Sequence, residues 1–285
     1  MNMENYGALG AKLCIPDLRD YVGKSTRKSF PDEFEIKNMP KVKNQGNVGS
    51  CVAHALATVT EYFNERESGE SVEMSTGYIY GNRLLSLHKG SGMMVRDALK
   101  TLSRFGNIPH SCCPYNEEVP KAIQRFESRP PQYDNIGVYH KINSYYRLKS
   151  DDAIKSQLMD GNPVIFSMRW FDDINFVNGI MVTNQKKTHK TGRHCMVIYG
   201  WNSVGWLVQN SWGEYWCKSG KFVLPYNIDK TEVWGVTDSN STASLEIEPP
   251  FRTKFGEGCA KIIHKILYVG YNIFNKIKLK LTTDK

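Results

Sequence analysis

The sequence has no long apolar run and no cysteine pattern of the kind that holds a structural metal ion. It contains no stretch of about eighteen consecutive apolar residues, which argues against a membrane-spanning helix. Residues 1–6 contain no basic stretch followed by an apolar one, so we expect no secretory signal peptide. The adjacent Cys112 and Cys113 are poorly placed to share one tetrahedral metal ion, and Cys-x-x-Cys does not occur. We therefore predict no metal site and no cofactor.

The cysteine content indicates the redox environment of the protein, and the net charge indicates which molecules it attracts. The chain has seven cysteines, an odd number, and in the absence of a predicted signal peptide this indicates reduced thiols rather than a disulfide framework. We expect an intracellular (cytoplasmic) protein, or one packaged in a particle. The net charge of +8 would steer acidic substrates or polyanions toward the protein.

A glycine-rich turn leads directly into a helix-forming segment that begins with a cysteine. Residues 43–54 read Lys-Asn-Gln-Gly-Asn-Val-Gly-Ser-Cys-Val-Ala-His, and apolar residues recur at helical spacing from Val52 to Phe63. This pattern predicts a helix with Cys51 at its N-terminus. Unpaired backbone N–H groups and the helix dipole favour an anion there, so the thiolate is stabilised relative to the thiol.

Two later segments carry a histidine and an asparagine. Residues 194–201 read His-Cys-Met-Val-Ile-Tyr-Gly-Trp, which predicts a strand opened by His194, and residues 206–213 read Trp-Leu-Val-Gln-Asn-Ser-Trp-Gly, a second strand that leads to Asn210. The three segments in this order resemble the papain-like cysteine peptidases. Cys51 and His194 are 143 residues apart, against about 130–150 in that family.

The resemblance implies a catalytic triad. Cys51 is the expected nucleophile, His194 the base, and Asn210 the residue that orients the imidazole. A fall of about five units in the pKa of a thiol corresponds to roughly 7 kcal/mol, whereas a helix terminus supplies roughly 0.3–2 kcal/mol. An imidazolium must therefore provide most of the stabilisation of the thiolate, which makes His194 indispensable.

The resemblance also implies the surroundings of the triad. The side-chain amide of Gln45 and the backbone N–H of Cys51 are expected to form the oxyanion hole, where one donor is commonly worth about 3–4 kcal/mol. Trp212 is expected to cover the bond between the histidine and the asparagine. Gly90 and Gly92 belong to a glycine stretch that would line the substrate cleft.

Three positions depart from the pattern of secreted members. Those enzymes carry a cysteine where this chain has Val48, and aromatic residues where it has Val52 and His54. The pattern is closer to bacterial and viral members that are not made for secretion. His54 lies three residues after the nucleophile, and we interpret it as a packing residue rather than as the base.

The resemblance implies an α+β fold with two lobes. A mainly helical lobe is led by the Cys51 helix, and a β-barrel-like lobe carries His194 and Asn210, with the active-site cleft between them. We expect a catalytic domain over residues 31–245, preceded by an N-terminal extension over residues 1–30 and followed by a basic amphipathic extension over residues 246–285.

Two readings stay open for each extension. Residues 1–30 either contain an inhibitory strap that lies across the cleft, as in a zymogen, or pack along one lobe. Residues 259–281 contain five lysines and no acid, interleaved with apolar residues, which is typical of a basic amphipathic helix. This helix either binds a polyanion or an anionic membrane surface, or docks on the body of the protein.

The predicted function is a cysteine peptidase that hydrolyses peptide bonds of a peptide or protein substrate through a thioester acyl-enzyme. Two alternatives remain at this stage. The same triad could serve another acyl transfer, by a peptidyl transferase or a deamidase. The chain could also be a catalytically silent scaffold that binds polyanions or membrane through its basic tail.

Overall fold

The computed structural model describes residues 8–83, 91–115, 131–184, 192–238 and 245–248. Most of them form one compact unit, and Pro16–Asp20 belong to a second. In Pro16–Asp20 the exposed guanidinium of Arg19 lies 2.8 Å from the carboxylate of Asp17. None of the helices in the described ranges combines the length and the hydropathy that crossing a bilayer requires.

The helices of the main unit lie mostly in the first half of the chain. Within the described ranges they are α1 (Cys51–Ser68), α2 (Thr76–Gly81), α3 (Val95–Phe105), α4 (Pro131–Gly137) and α5 (Asp151–Met159). Short 3-10 turns occur at His110–Cys112 and Val138–His140.

Helix α1 is the centre of the helical lobe. It begins at Cys51, as the periodicity predicts, and every residue from Cys51 to Glu61 is buried. A helix that is buried on all sides belongs to the core rather than to the surface. It ends at Ser68 and is capped by Gly69, whose φ of 73° is the left-handed conformation that glycine adopts easily, and whose N–H donates to the carbonyl of Glu65.

The strands form two sheets. They are β1 (Ala11–Lys12), β2 (Val22–Ser25), β3 (Phe34–Glu35), β4 (Met93–Met94), β5 (Ser144–Leu148), β6 (Val164–Trp170), β7 (Asn175–Val177), β8 (Ile180–Val182), β9 (Gly192–Trp201), β10 (Gly205–Gln209), β11 (Lys221–Pro225), β12 (Glu232–Thr237) and β13 (Leu245–Glu248). Strands β1 and β4 pair in parallel as a two-stranded sheet. The other eleven form one sheet in the order β13-β2-β5-β12-β6-β9-β10-β11-β8-β7, with β3 paired to β9.

The register of the large sheet places the histidine and the asparagine next to each other. Strand β9 is antiparallel to both β6 and β10, with Met168 of β6 opposite His194 and Gln209 of β10 opposite Val197. Asn210 directly follows β10 and therefore leaves the sheet beside His194. The predicted strands at both positions are confirmed.

Two hydrophobic clusters fill the two lobes. One is built around α1 and includes Leu56, Leu99 and Leu102, and the other lies on the large sheet and includes Trp201 and Trp206. This arrangement confirms the predicted α+β fold with a helical lobe and a sheet lobe.

The large sheet crosses both predicted domain boundaries. Strand β2, inside residues 1–30, pairs in parallel with β5, and β13 begins at Leu245 and pairs antiparallel with β2. The division of the chain at residues 30 and 245 stays a prediction, and the described residues on the far side of each boundary contribute strands to the catalytic body. The basic extension beyond Glu248 lies outside the described residues.

Candidate active site

Three elements converge on the candidate catalytic residues. Cys51 opens α1, His194 lies near the start of β9, and Asn210 follows β10. The Nε2 atom of His194 lies 2.6 Å from Oδ1 of Asn210. Because an amide oxygen only accepts hydrogen bonds, Nε2 carries a proton and donates it. The backbone N–H of Cys195, the next residue, points to the thiol of Cys51, which brings the nucleophile to the same place.

Aromatic rings enclose the imidazole. Trp212 stacks on His194 with ring centroids 4.6 Å apart and an interplanar angle of 25°. Trp170 meets His194 edge-on at 5.3 Å and Trp212 at 4.9 Å. Both the histidine and the asparagine are buried, so the bond between them is shielded from water. Trp212 lies where the sequence places it, whereas Trp170 was not predicted as part of the site.

Gln45 is completely buried, and its side chain is held from both ends of the amide. Its Oε1 accepts a hydrogen bond of 2.7 Å from the hydroxyl of Ser211, which directs Nε2 the other way. Nε2 donates to the carbonyl of Val48 at 2.8 Å and to the carbonyl of Ala8 at 2.6 Å. The amide of Gln45, the predicted oxyanion donor, is therefore already engaged by the backbone carbonyl of Ala8.

Residues 8–12, the cleft segment, lie directly over these groups. While the carbonyl of Ala8 occupies the amide of Gln45, the backbone N–H of Gly10 points to the thiol of Cys51. The segment continues as β1, in which Ala11 pairs with Met93. The backbone of residues 8–12 thus contacts the amide of Gln45, the thiol of Cys51 and strand β4.

Glycines allow this close approach. A Cβ atom at Gly10 would lie 1.9 Å from the carbonyl oxygen of Gly49, far inside contact distance. Gly92 has a φ of 94°, and a Cβ atom there would lie 2.2 Å from the carbonyl oxygen of Gly10. The backbone N–H of Met93 donates to that same oxygen at 2.9 Å. Gly92 therefore lines the cleft next to the segment that occupies it, and Gly90 lies outside the described residues.

Residues 30–243 match the sequence family described as papain family cysteine protease. The chain belongs to this family. It is 28% identical over 262 residues to an uncharacterized peptidase C1-like protein of Acanthamoeba polyphaga mimivirus, with 78% of this chain and 81% of the viral protein covered. A cysteine protease of Blomia tropicalis is 26% identical over 215 residues, with 69% of this chain and 61% of that protein covered.

Solved structures of cysteine proteases show the same fold. Xylellain from Xylella fastidiosa superimposes with a TM-score of 0.71 at 21% identity, covering 84% of this chain and 99% of that one. Digestive procathepsin L 3 of Tenebrio molitor gives a TM-score of 0.63 at 17% identity, covering 82% of this chain and 76% of that one. At these identities the agreement concerns the fold.

The covered site of this papain-family protease favours neutral catalytic groups. Burial raises the pKa of the Cys51 thiol to about 11 and lowers the pKa of the His194 imidazole to about 4. The hydrogen bond to Asn210 opposes the shift of the histidine without cancelling it. Burial thus opposes both charges of the thiolate–imidazolium pair expected from the sequence, whereas the backbone N–H of Gly10 acts in the other direction and lowers the pKa of the thiol. In the described part of the chain, Nδ1 of His194 has no hydrogen-bond partner.

His54 and the described cysteines other than Cys51 have structural roles. His54 is 1% exposed, and its Nδ1 lies 3.1 Å from the carbonyl of Ser50, which confirms the interpretation as a packing residue. Each of the six cysteines in the described ranges is a free thiol. In the same ranges no three His, Cys, Asp or Glu side chains are grouped closely enough to hold a metal ion.

Three residues that contribute to the site were not predicted from the sequence, for different reasons. Ser211 lies inside the Asn-Ser-Trp-Gly motif, so its position beside Gln45 could have been suspected. Trp170 reaches the site only because β6 pairs with β9 in one register, which no local pattern specifies. The contact of Ala8 with Gln45 joins residues 37 positions apart and likewise leaves no local signal.

Acid is expected to destabilise the covered fold through His194. Its pKa is about 4 in the folded chain and 6.5 when unfolded, so the unfolded state binds the extra proton first as pH falls. The contribution of the neutral imidazole to stability is fully present above pH 6.5 and is lost as pH falls toward 4. We expect a loss on the order of 2 kcal/mol between pH 7 and pH 5.

Urea unfolding of Cys51→Ala protein at pH 7 and pH 5 measures this loss without self-digestion. The control is the same protein carrying His194→Gln, which removes the titrating group. The free energy of unfolding should then depend less steeply on pH. Identical pH dependence in the two proteins would contradict the assigned direction of the pKa shift.

Proposed function

We propose that this cysteine protease hydrolyses peptide bonds through a thioester acyl-enzyme formed on Cys51. The hydrogen bond of 2.6 Å between His194 and Asn210, beside a cysteine at the N-terminus of α1, carries the proposal. Because Nε2 is engaged by Asn210, Nδ1 is the nitrogen that exchanges a proton with the reactants. Membership of the papain family and the fold shared with solved cysteine proteases support it.

The reaction proceeds in two halves. The thiolate of Cys51 attacks the scissile carbonyl carbon, the C–N bond breaks, and the imidazolium of His194 gives its proton to the leaving amine. In the second half, neutral His194 takes a proton from a water molecule as the oxygen of that water attacks the carbonyl carbon of the thioester. The C–S bond breaks, the acid leaves, and thiolate and imidazolium are restored.

The oxyanion is stabilised where the carbonyl of Ala8 now lies. We assign this role to Nε2 of Gln45 and the backbone N–H of Cys51, and loss of one such donor typically costs about 100- to 1,000-fold in kcat. When the cleft segment leaves, the backbone next to Gly92 becomes available to an extended peptide. We therefore assign Gly92 to substrate binding, whereas the same role for Gly90 stays a prediction.

Replacing the nucleophile or its partner tests the mechanism. We expect Cys51→Ala to abolish hydrolysis of peptide substrates and Asn210→Ala to lower it severalfold or more, because the imidazole loses its orientation. Cys112→Ala, which removes an exposed thiol outside the site, is the matched control and should leave turnover unchanged. Initial rates on a peptide library, with folding checked by circular dichroism, provide the measurement.

Different results would support different functions. Full activity of Cys51→Ala would contradict the whole mechanism. Burst release from an activated ester without peptide hydrolysis, together with consumption of an added amine, would favour another acyl transfer. Absence of both activities after removal of the cleft segment would favour a silent scaffold.

We further propose that the cleft segment is the inhibitory strap. It occupies the amide of Gln45, which the proposed mechanism needs for the oxyanion, and its backbone at Gly10 lies against the thiol of Cys51. A tethered strap needs only weak intrinsic affinity, since attachment gives it a local concentration of roughly millimolar. The same weakness allows it to be displaced.

Gly10→Val in the full chain tests the restraint. The added Cβ would collide with the carbonyl of Gly49, so we expect the segment to leave the cleft and the initial rate to rise at least severalfold. Deleting everything before Ser29 is a poorer test because it would also remove β2 from the large sheet.

Ile15→Ala is the matched control for the strap, because Ile15 follows the cleft segment and is 77% exposed. It should leave the rate unchanged. The rate of Gly10→Val should fall again when a peptide of residues 1–15 is added in excess. Equal rates for the parent and Gly10→Val, at equal content of reactive thiol, would leave residues 8–12 a structural role only.

Fewer observations support the proposals on the location of the protein and on its further partners. We propose a reducing location, inside a cell or a particle, which the six free cysteines of the described ranges support. Mass spectrometry after rapid alkylation of the native protein tests it, and disulfide-linked cysteines would contradict it. Binding of residues 259–281 to polyanions or anionic membrane stays a prediction, because the segment lies outside the described residues.

A further inference from the structure

The two donors of the oxyanion hole lie at opposite ends of one short loop. Gln45 begins the loop, and Cys51 ends it as the first residue of α1. Inside the loop the N–H of Val48 donates to the carbonyl of Gln45 at 3.3 Å, and the N–H of Ser50 donates to the carbonyl of Val48 at 2.7 Å. The side chain of Gln45 also donates to the carbonyl of Val48, so within the loop the two ends are connected only through Val48 and have no direct connection.

The hydroxyl of Tyr115 makes that connection. It donates a hydrogen bond of 2.7 Å to the backbone carbonyl of Gln45, and it lies 2.8 Å from Oγ of Ser50. Since Ser50 directly precedes Cys51, one hydroxyl group joins the residues that carry or flank both oxyanion donors. Tyr115 itself comes from a distant part of the chain, 70 positions after Gln45.

His54 supports this connection from α1. Its Nδ1 lies 3.2 Å from Oγ of Ser50 and 3.1 Å from the carbonyl of the same residue. Its ring meets that of Tyr115 edge-on, with centroids 4.6 Å apart. The backbone of Asn44, the residue before Gln45, also interacts electrostatically with the imidazole. The histidine thus contacts both ends of the loop and the tyrosine that bridges them.

We infer that Tyr115, supported by His54, is a positioning residue that sets the distance and orientation between the two oxyanion donors. The inference rests on the proposed function and adds to it the device that holds Gln45 in place relative to the N–H of Cys51. Because it acts through Gln45 and Ser50, Tyr115 requires no contact with the substrate.

The surroundings of Tyr115 fit a role outside the cleft. Tyr115 and His54 line a cavity of about 530 Å³ whose other walls include Lys43, Glu61 and Glu73. Neither Cys51 nor any other residue proposed for the triad lines this cavity. The bridging hydroxyl is therefore bordered on one side by the loop and on another by a cavity that the catalytic residues do not reach.

Removing the hydroxyl is expected to weaken transition-state stabilisation selectively. In Tyr115→Phe the carbonyl of Gln45 and Oγ of Ser50 lose their common partner, while the hydroxyl of Ser211 still holds the side chain of Gln45. The fold should therefore survive. A displacement of the donors by a fraction of an ångström to 1 Å is expected to reduce kcat by about ten- to a hundredfold.

The experiment compares two reactions of the same thiol in the full chain. Peptide hydrolysis develops an oxyanion, whereas alkylation of Cys51 by iodoacetamide does not, so only the first depends on the oxyanion hole. In Tyr115→Phe we expect kcat to fall by at least tenfold, whereas KM and the alkylation rate should stay within about twofold of the parent. The alkylation rate is followed by mass spectrometry of the Cys51 peptide. Tyr139→Phe, at an 80% exposed residue, is the matched control and should change neither reaction.

A double-mutant cycle adds a test that a merely structural role would not pass. If Tyr115 acts through Gln45, its substitution should have a smaller effect on kcat when Gln45→Ala is already present. Ser50→Ala removes the other end of the bridge and should lower kcat in the same direction. All variants are measured with and without Gly10→Val, so that any restraint by the cleft segment affects parent and variant equally.

The outcomes separate the inference from the proposed function. The parent carrying Gly10→Val reports whether the chain is a peptidase, and the ratio of variant to parent reports the role of Tyr115. An unchanged kcat in Tyr115→Phe would overturn the inference. Equal losses in hydrolysis and alkylation would also overturn it, because they would place the effect on the thiolate or on the fold rather than on the oxyanion hole.

Discussion

Burial of the N-terminus of α1 is the constraint on which the rest of the site depends. Because the first three turns of this helix are enclosed on all sides, Cys51 cannot move to meet its partners. The partners have to be brought to it by the sheet lobe, where β9 and β10 present a histidine and an asparagine already bonded to each other at 2.6 Å. The cleft is the space between the thiol of Cys51 and the imidazole of His194, each of which is held in place by its own lobe.

The same enclosure makes the charge state of the site depend on what fills the cleft. Burial penalises a charge on the thiol and a charge on the imidazole alike, and the backbone of residues 8–12 lies against the thiol with the N–H of Gly10 directed to it. A segment of five residues, with contacts that are mostly backbone, thus covers a site built by two lobes. The close approach requires glycine at positions 10 and 92, because a Cβ atom at either position would collide with a backbone carbonyl.

Local patterns predicted the parts of the site that depend on local structure. The helix that starts at Cys51 and the strands that carry His194 and lead to Asn210 follow from periodicity, and the motif around Asn210 fixes Trp212. What the sequence left open depends on pairings between distant segments. Trp170 enters through the register of β6 with β9, Ala8 through a parallel pairing of two-residue strands, and the bridge made by Tyr115 through a single hydroxyl. None of these leaves a repeating pattern in the chain, because each is decided by the packing of the whole domain.

The neutral thiol and imidazole under the cleft segment hold one proton between them, and so does the charged pair that catalysis needs. Opening the cleft only moves that proton from Cys51 to His194, and no proton is taken from or released to the solvent. Acidity by itself therefore gives this enzyme no thermodynamic push toward the open form as long as the pair retains a single proton. Under the restraint proposed above, release of the cleft segment therefore depends on what competes for its backbone contacts, by binding or by cleavage, more than on pH.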